Sequence, residues 1–209
     1  GSEAAAQVSQ LVLLDSDFSK MPSVVAEGRR VVNNIERTAS LFLVKNIFSL
    51  CLSIFSIVLM VNYPLEPTQI SLISAFTIGI PAFVMSLEKN TERITGHFLS
   101  NVLFKALPGG LTDFLVVSGL YLFCMEFQVD ANDVATSSTI LLAIVGLMIL
   151  YQIASPMTKY HWILWFGMGA GLIYCMVFVS QIFAITSISK KCMMLLVIFA
   201  IITEPTFRY

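Results

Sequence analysis

Long apolar runs separated by short polar connectors dominate this chain, a pattern that predicts membrane-crossing helices. The runs lie at about 39–61, 68–87, 107–127, 139–154, 162–184 and 188–203. The strictly apolar part of the last, Cys192 to Ile202, is only about half a standard span. Ahead of the first run the pattern differs. Gln10-Leu11-Val12-Leu13-Leu14 is a short aliphatic stretch closed by Asp15-Ser16-Asp17, which suits a buried strand. Ser19 is placed to cap a helix beginning near Met21 and Pro22. Val24, Val25, Val31, Val32, Ile35 and Ala39 then recur at helical spacing, and Gly28-Arg29-Arg30 is expected to interrupt or kink that helix. A helix from Arg30 into the first run as far as Val61 would be about 48 Å long at about 1.5 Å per residue. The hydrocarbon core is only about 30 Å thick, so its first part is expected to project as a stalk.

The connectors set the orientation. Asn62-Tyr63-Pro64-Leu65-Glu66-Pro67 reads as a tight turn. A polar connector follows from Glu88 to about Lys105, an acidic one over 126–138 contains Asp130 and Asp133, and a short one runs from Ser155 to His161. Lys89, Arg93, Lys105 and Lys159 fall on the same side as the N-terminal segment. The excess of basic residues on cytosolic loops therefore puts the N-terminus in the cytosol and the acidic loop outside. Lys190 and Lys191 break that rule.

Composition agrees with a lipid environment. Hydrophobic residues make up 57% of the 209 and charged ones 12%, with a mean hydropathy of +0.85. A soluble domain of this size has too few charges here to cover its surface. The net charge of −1 gives no broad basic face, which excludes nucleic acid as an expected partner and leaves the lipid bilayer. Cys51, Cys124, Cys175 and Cys192 form no CxxC pair and are expected to be small buried hydrophobes. The chain is thus expected to be an all-α polytopic membrane protein of six transmembrane helices over 38–209, preceded by a soluble part over 1–37.

Polar residues inside the spans carry the candidate chemistry. Lys45 lies about a turn into the first span, followed by Asn46 and Ser49. A charge in hydrocarbon costs about 2.5–3.5 kcal/mol on insertion scales, so Lys45 either snorkels to the headgroups or lines a cavity. Thr77-Ile78-Gly79-Ile80-Pro81 interrupts the second span. Pro81 lacks an N–H and strains the carbonyl near Thr77, giving either an ordinary kink or a cation-binding unwound segment. Asp113 follows Pro108-Gly109-Gly110 at the start of the third span, where it is either wet at the interface or turned into the bundle. Asp15 and Asp17 read as loop acids, and His97 and His161 as interfacial connector residues. No Walker-type loop, Ser/His/Asp set or metal-spaced His cluster is present, so neither a catalytic nor a resident metal site is expected. Lys45, Asn46 and Thr77 are expected to face the bundle interior.

These residues also carry a resemblance. The stretch Ser2-Glu3-Ala4-Ala5, the run Gln10 to Phe18, and Glu27-Gly28-Arg29-Arg30-Val31-Val32-Asn33-Asn34-Ile35 entering a long membrane helix resemble P-type cation-transporting ATPases. The second span, from Gln69 through Thr77, Gly79 and Pro81, is similar to their sixth transmembrane helix. The resemblance covers essentially the whole chain and is strongest over its first 90 residues. It implies that 1–37 is the end of an α/β phosphorylation domain plus a cytosolic stalk, and that the spans are helices five to ten of a ten-helix pump.

The resemblance also implies site residues. In the calcium-pump branch the fifth helix supplies an Asn and, three residues later, a Glu. Asn46 matches the first, and Ser49 stands at the second. The sixth helix supplies an Asn, a Thr and an adjacent Asp, which align with Ser74, Thr77 and Ile78. Two carboxylates are therefore missing and Lys45 is added, which suits one cation better than two calcium ions. The pattern is closest to a bacterial calcium- or divalent-cation-like subgroup, which implies a bacterial plasma membrane. The implied mechanism is phosphorylation of an Asp by ATP with Mg²⁺, in actuator, nucleotide-binding and phosphorylation domains upstream, driving alternating access. The alternatives are a lipid or polyamine translocase of the same family and a non-enzymatic six-helix membrane module.

Overall fold

The computed structural model describes residues 3–10, 12, 17–186 and 188–203. Most of the strand expected over 10–14, with Asp15 and Ser16, lies outside the described residues. Helix α1 (Glu3–Val8) precedes a 3₁₀ turn at Phe18–Lys20. Asp17 opens that turn, its carboxylate accepting from the Ser19 N–H at 3.0 Å and hydroxyl at 2.6 Å. These bonds hold the Asp17 carboxyl below its ordinary pKa. Ser19 is thus spent on Asp17 and does not cap the helix that follows.

Helix α2 (Met21–Val58) runs 38 residues without a break. It passes straight through Gly28, contrary to the expected interruption. Gly28 has nothing within 4 Å of where a Cβ would sit, so it costs only its propensity deficit of about 1 kcal/mol. The surrounding turns outweigh that.

Helix α3 (Pro67–Ser86) starts where the Glu66 N–H donates to Gln69 Oε1 at 3.1 Å. Within it Ala75–Gly79 is a π segment, with the Ile80 N–H reaching the Ala75 carbonyl. Pro81 has no N–H for the carbonyl one turn back, and the helix widens instead of unwinding. Helix α4 (Phe98–Glu126) begins nine residues before the expected third span and takes Pro108 inside it. Lys105 is therefore a helix residue, not a connector residue. Helix α5 (Ala131–Ile153) absorbs most of the expected acidic loop, because the Asp130 carboxylate accepts from the Asn132 N–H and starts the helix there. Helix α6 (Lys159–Phe178) is started the same way by Thr158, which accepts from the His161 N–H. Helix α7 (Lys190–Thr203) has 14 residues.

Helices α2 to α6 are each long and apolar enough to cross a membrane. Among the described residues there is no strand. The chain is an all-α integral membrane protein. Its helices run up and down, as the bonds at each end show. At one end Asn33 and Asn34 of α2 bond to Asn90 and Ser86, and Glu36 to Lys105. At the other, Gln69 bonds to the Ala184 carbonyl and Asp133 to the Ser189 N–H. Helix α2 packs most extensively on α4. A Cβ at Gly110 would lie 2.8 Å from Ile47 Cβ and 2.9 Å from the Val44 carbonyl. Only glycine lets these backbones come so close, as in other membrane helix pairs.

Candidate functional site

Helices α2, α3, α4 and α5 meet around a cavity of about 40 Å³. Lys45, Ser74, Thr77, Asp113 and Gly146 line it, among aliphatic side chains such as Val44 and Ile73. A water-sized guest needs roughly 10–15 Å³ of such space, so the cavity has room for a small guest. The π segment supplies Thr77, and Gly109-Gly110 draws α4 close enough to present Asp113.

Thr77 is 4% exposed. Its hydroxyl donates to the Ile73 carbonyl at 2.8 Å, which leaves the oxygen's lone pairs free to face a cation. Its methyl is pinned by α5, since a Cβ at Gly146 would come within 2.8 Å of it. Asp113 is 6% exposed, and its Oδ1 is buried with no hydrogen-bond partner. It is not wet at an interface, because α4 starts early and puts it in mid-helix. Lys45 is half-buried and, among the described residues, makes no ion pair.

Not every expected residue joins this group. Asn46 is exposed, because one residue along a helix turns the side chain by about 100°. The expectation that it faces the bundle interior with Lys45 and Thr77 is corrected for Asn46. Ser49 is half-buried and does not line the cavity; it lies beside Tyr63 instead. Burial pushes the Tyr63 hydroxyl above its ordinary pKa, and the nearby Ser49 hydroxyl opposes that shift. So the structure brings together Lys45, Ser74, Thr77 and Asp113, and leaves Asn46 and Ser49 apart.

A second polar group escaped the sequence reading. Glu88, just past α3, accepts from Arg37 Nη1 at 2.9 Å and contacts His161 Nε2 at 3.0 Å. His161 is 1% exposed in the first turn of α6, so it is a buried tie between helices and not an interfacial residue. Next to it Glu36 bonds Lys105 at 2.6 Å and Asn101 at 3.2 Å. The signal in the sequence was the polar cluster Asn33-Asn34-Ile35-Glu36-Arg37 at the head of an apolar run. Its partners lie more than fifty residues away, which spacing does not show.

Among the described residues no three His, Cys, Asp or Glu side chains converge as a metal site. The surface of the cavity is almost wholly apolar, with Asp113, Ser74 and Thr77 set in its wall.

The chain is 36% identical over 176 residues to the calcium-transporting ATPase CtpE of Mycolicibacterium smegmatis, covering 78% of this chain and 22% of that protein. It is 28% identical to the probable cation-transporting ATPase exp7 of Streptococcus pneumoniae, covering 100% of this chain and 29% of that protein. A potassium-transporting ATPase alpha chain 2 of Oryctolagus cuniculus is 34% identical over 43% of this chain and 8% of its own length. The chain thus spans less than a third of the curated relatives it matches. No family model matches it, and no solved structure matches it significantly.

Proposed function

From the premise that the chain is a homologue of P-type cation-transporting ATPases, we propose that it is the membrane-transport segment of an ATP-driven cation pump. It supplies part of the ion pathway and couples that pathway to a phosphorylation domain upstream. The carrying observation is the cavity at the π segment, where Thr77, Ser74, Asp113 and Lys45 meet in an otherwise apolar bundle. Ionisable residues inside a membrane are costly and mark transport paths. The cavity, about 40 Å³, has the size of a small cation.

Coupling runs through α2. At about 1.5 Å per residue its 38 residues extend for about 57 Å. That is well beyond a bilayer core of about 30 Å. Its cytosolic part is bonded to the end of α3 through Asn34, Arg37 and Glu88. A tilt of this helix therefore moves Lys45 and the end of the cation-bearing helix together. ATP and Mg²⁺ act in the upstream domains. The N-terminus is cytosolic and the membrane is a bacterial plasma membrane. Ca²⁺ is the first cation to test, since relatives are named for its transport.

The test is phosphate release by the reconstituted full-length protein, titrated with Ca²⁺, Mg²⁺, Mn²⁺, K⁺ and polyamines, beside Thr77→Ala. One cation is expected to stimulate release. The variant should need about tenfold more of it, corresponding to about 1.4 kcal/mol for one lost oxygen ligand. Stimulation by polyamines alone, or by nothing, would overturn the proposal.

A further inference from the structure

We infer that Cys124 and Cys192 form a disulfide that staples α7 to α4 at the outer end of the bundle. The inference rests on the orientation proposed above and adds a covalent modification that the transport reading does not use.

The two residues are 68 apart in the chain and on different helices, yet their sulfurs lie 3.6 Å from each other. Both side chains are fully buried. Contacts on either side of the pair bring this about. Deeper in the bundle, a Cβ on Gly119 of α4 would come within 2.9 Å of the Phe199 ring of α7. Phe199 also meets Phe123 edge to face at 5.8 Å. At the outer end the Asp133 carboxylate accepts from the Ser189 N–H at 3.2 Å, and the Ser189 hydroxyl oxygen accepts from the Cys192 N–H at 3.5 Å. Helix α7 therefore runs antiparallel to α4, and its register is held on both sides of the two thiols.

Chemistry favours a bond there. In this structure both residues are thiols. A disulfide has its sulfurs about 2.05 Å apart, so they must close by about 1.5 Å. Rotation about the two Cα–Cβ bonds supplies a movement of that size. As thiols the pair is poorly satisfied. Besides its neighbour, Cys192 Sγ meets the Asp133 carbonyl only at 3.9 Å, and a thiol is a weak donor. A disulfide has no S–H to satisfy. The fold also holds each thiol at a high effective concentration beside the other, which favours the disulfide over the dithiol. Cell surfaces are compartments where disulfides form and persist.

The oxidant is a protein disulfide at the outer face, met while α7 is being seated and before the site closes. The Cys192 thiolate attacks that disulfide and forms a mixed disulfide. The Cys124 thiolate then displaces the oxidant, which leaves as a dithiol carrying both electrons and, through water, both protons. Burial afterwards shields the new bond from reductants.

The test uses the full-length protein purified from membranes without reductant. It is unfolded in detergent with N-ethylmaleimide, with or without prior reduction by a phosphine, then digested and read by mass spectrometry. Unfolding removes burial as a reason for missing label. A peptide pair joined through Cys124 and Cys192 is expected, lost on reduction, with both residues blocked only in the reduced sample. Cys51 and Cys175 should be blocked in both samples. In Cys124→Ala, Cys192 should become blocked without reduction. Blocking of Cys124 and Cys192 in the unreduced native protein overturns the inference, whatever cations do to phosphate release. So does a Cys192 that still needs reduction in Cys124→Ala, since its partner is then another thiol. Labelling of Asn132→Cys from outside intact cells reads the orientation separately, so an unlinked pair at an outward-facing end faults the disulfide alone.

Discussion

At the scale of single residues, most side chains that matter are polar exceptions in apolar helices. Lys45, Thr77 and Asp113 stand out in the sequence because each is costly in hydrocarbon. Their meeting in one cavity depends on residues with almost no side chain. Gly146 is the clearest case, since a Cβ there would come within 2.8 Å of the Thr77 methyl. Gly146→Ala is expected to push Thr77 aside and to overpack the site by about 1–3 kcal/mol. Thermal unfolding of the detergent-solubilised full-length protein should show a lower midpoint, and the cation requirement should rise. An unchanged midpoint and an unchanged requirement would mean that Thr77 is not held by this contact. Asn46 shows the converse. It is as polar as its neighbour Lys45, yet its position on the helix turns it outward.

At the scale of elements, the π segment of α3 is the feature that does most to shape the site. It adds one residue to a turn, which rotates Thr77 and everything before it by about 100° relative to an unbroken α-helix. Pro81 is its cause, since a residue with an N–H there would close the ordinary bond to Thr77. Pro81→Ala is therefore expected to rewind the helix, turn Ser74 and Thr77 off the cavity and weaken cation stimulation at least tenfold. Amide hydrogen exchange at the new residue 81 and its neighbours should slow as the helix tightens. Unchanged exchange and unchanged stimulation would assign the widening to the packing of Phe76 on Gly171 instead. Helix ends were the least legible part of the sequence. Asp130 and Thr158 start α5 and α6 earlier than the apolar runs suggest, because capping reaches into polar sequence that hydropathy assigns to loops.

At the scale of the whole molecule, the charged ends decide how the bundle sits in its membrane. The end with Glu36, Arg37, Glu88, Lys105 and His161 carries the ion pairs that tie α2, α3, α4 and α6. In the orientation proposed above, from the distribution of basic residues, this end is the cytosolic one. Single cysteines placed at exposed Arg93 and Asn132, in a background without the native thiols, test it. In intact bacterial cells an impermeant maleimide should label Asn132→Cys and reach Arg93→Cys only after lysis. The reverse labelling would invert the orientation and place the stalk outside.

The amino-acid sequence by itself determined the class of the protein, the approximate place of the five helices long enough to cross a membrane and the short set of polar positions worth examining. It could do so because hydropathy and residue cost in lipid are local quantities, read within a window of about twenty residues. The tertiary structure alone decided which of those positions share a cavity. It turned Asn46 outward, brought Asp113 inward from mid-helix and bound Glu88 to both Arg37 and His161. Those outcomes hang on helix rotation, on one π segment and on glycine contacts between α2 and α4, which join residues far apart in the chain.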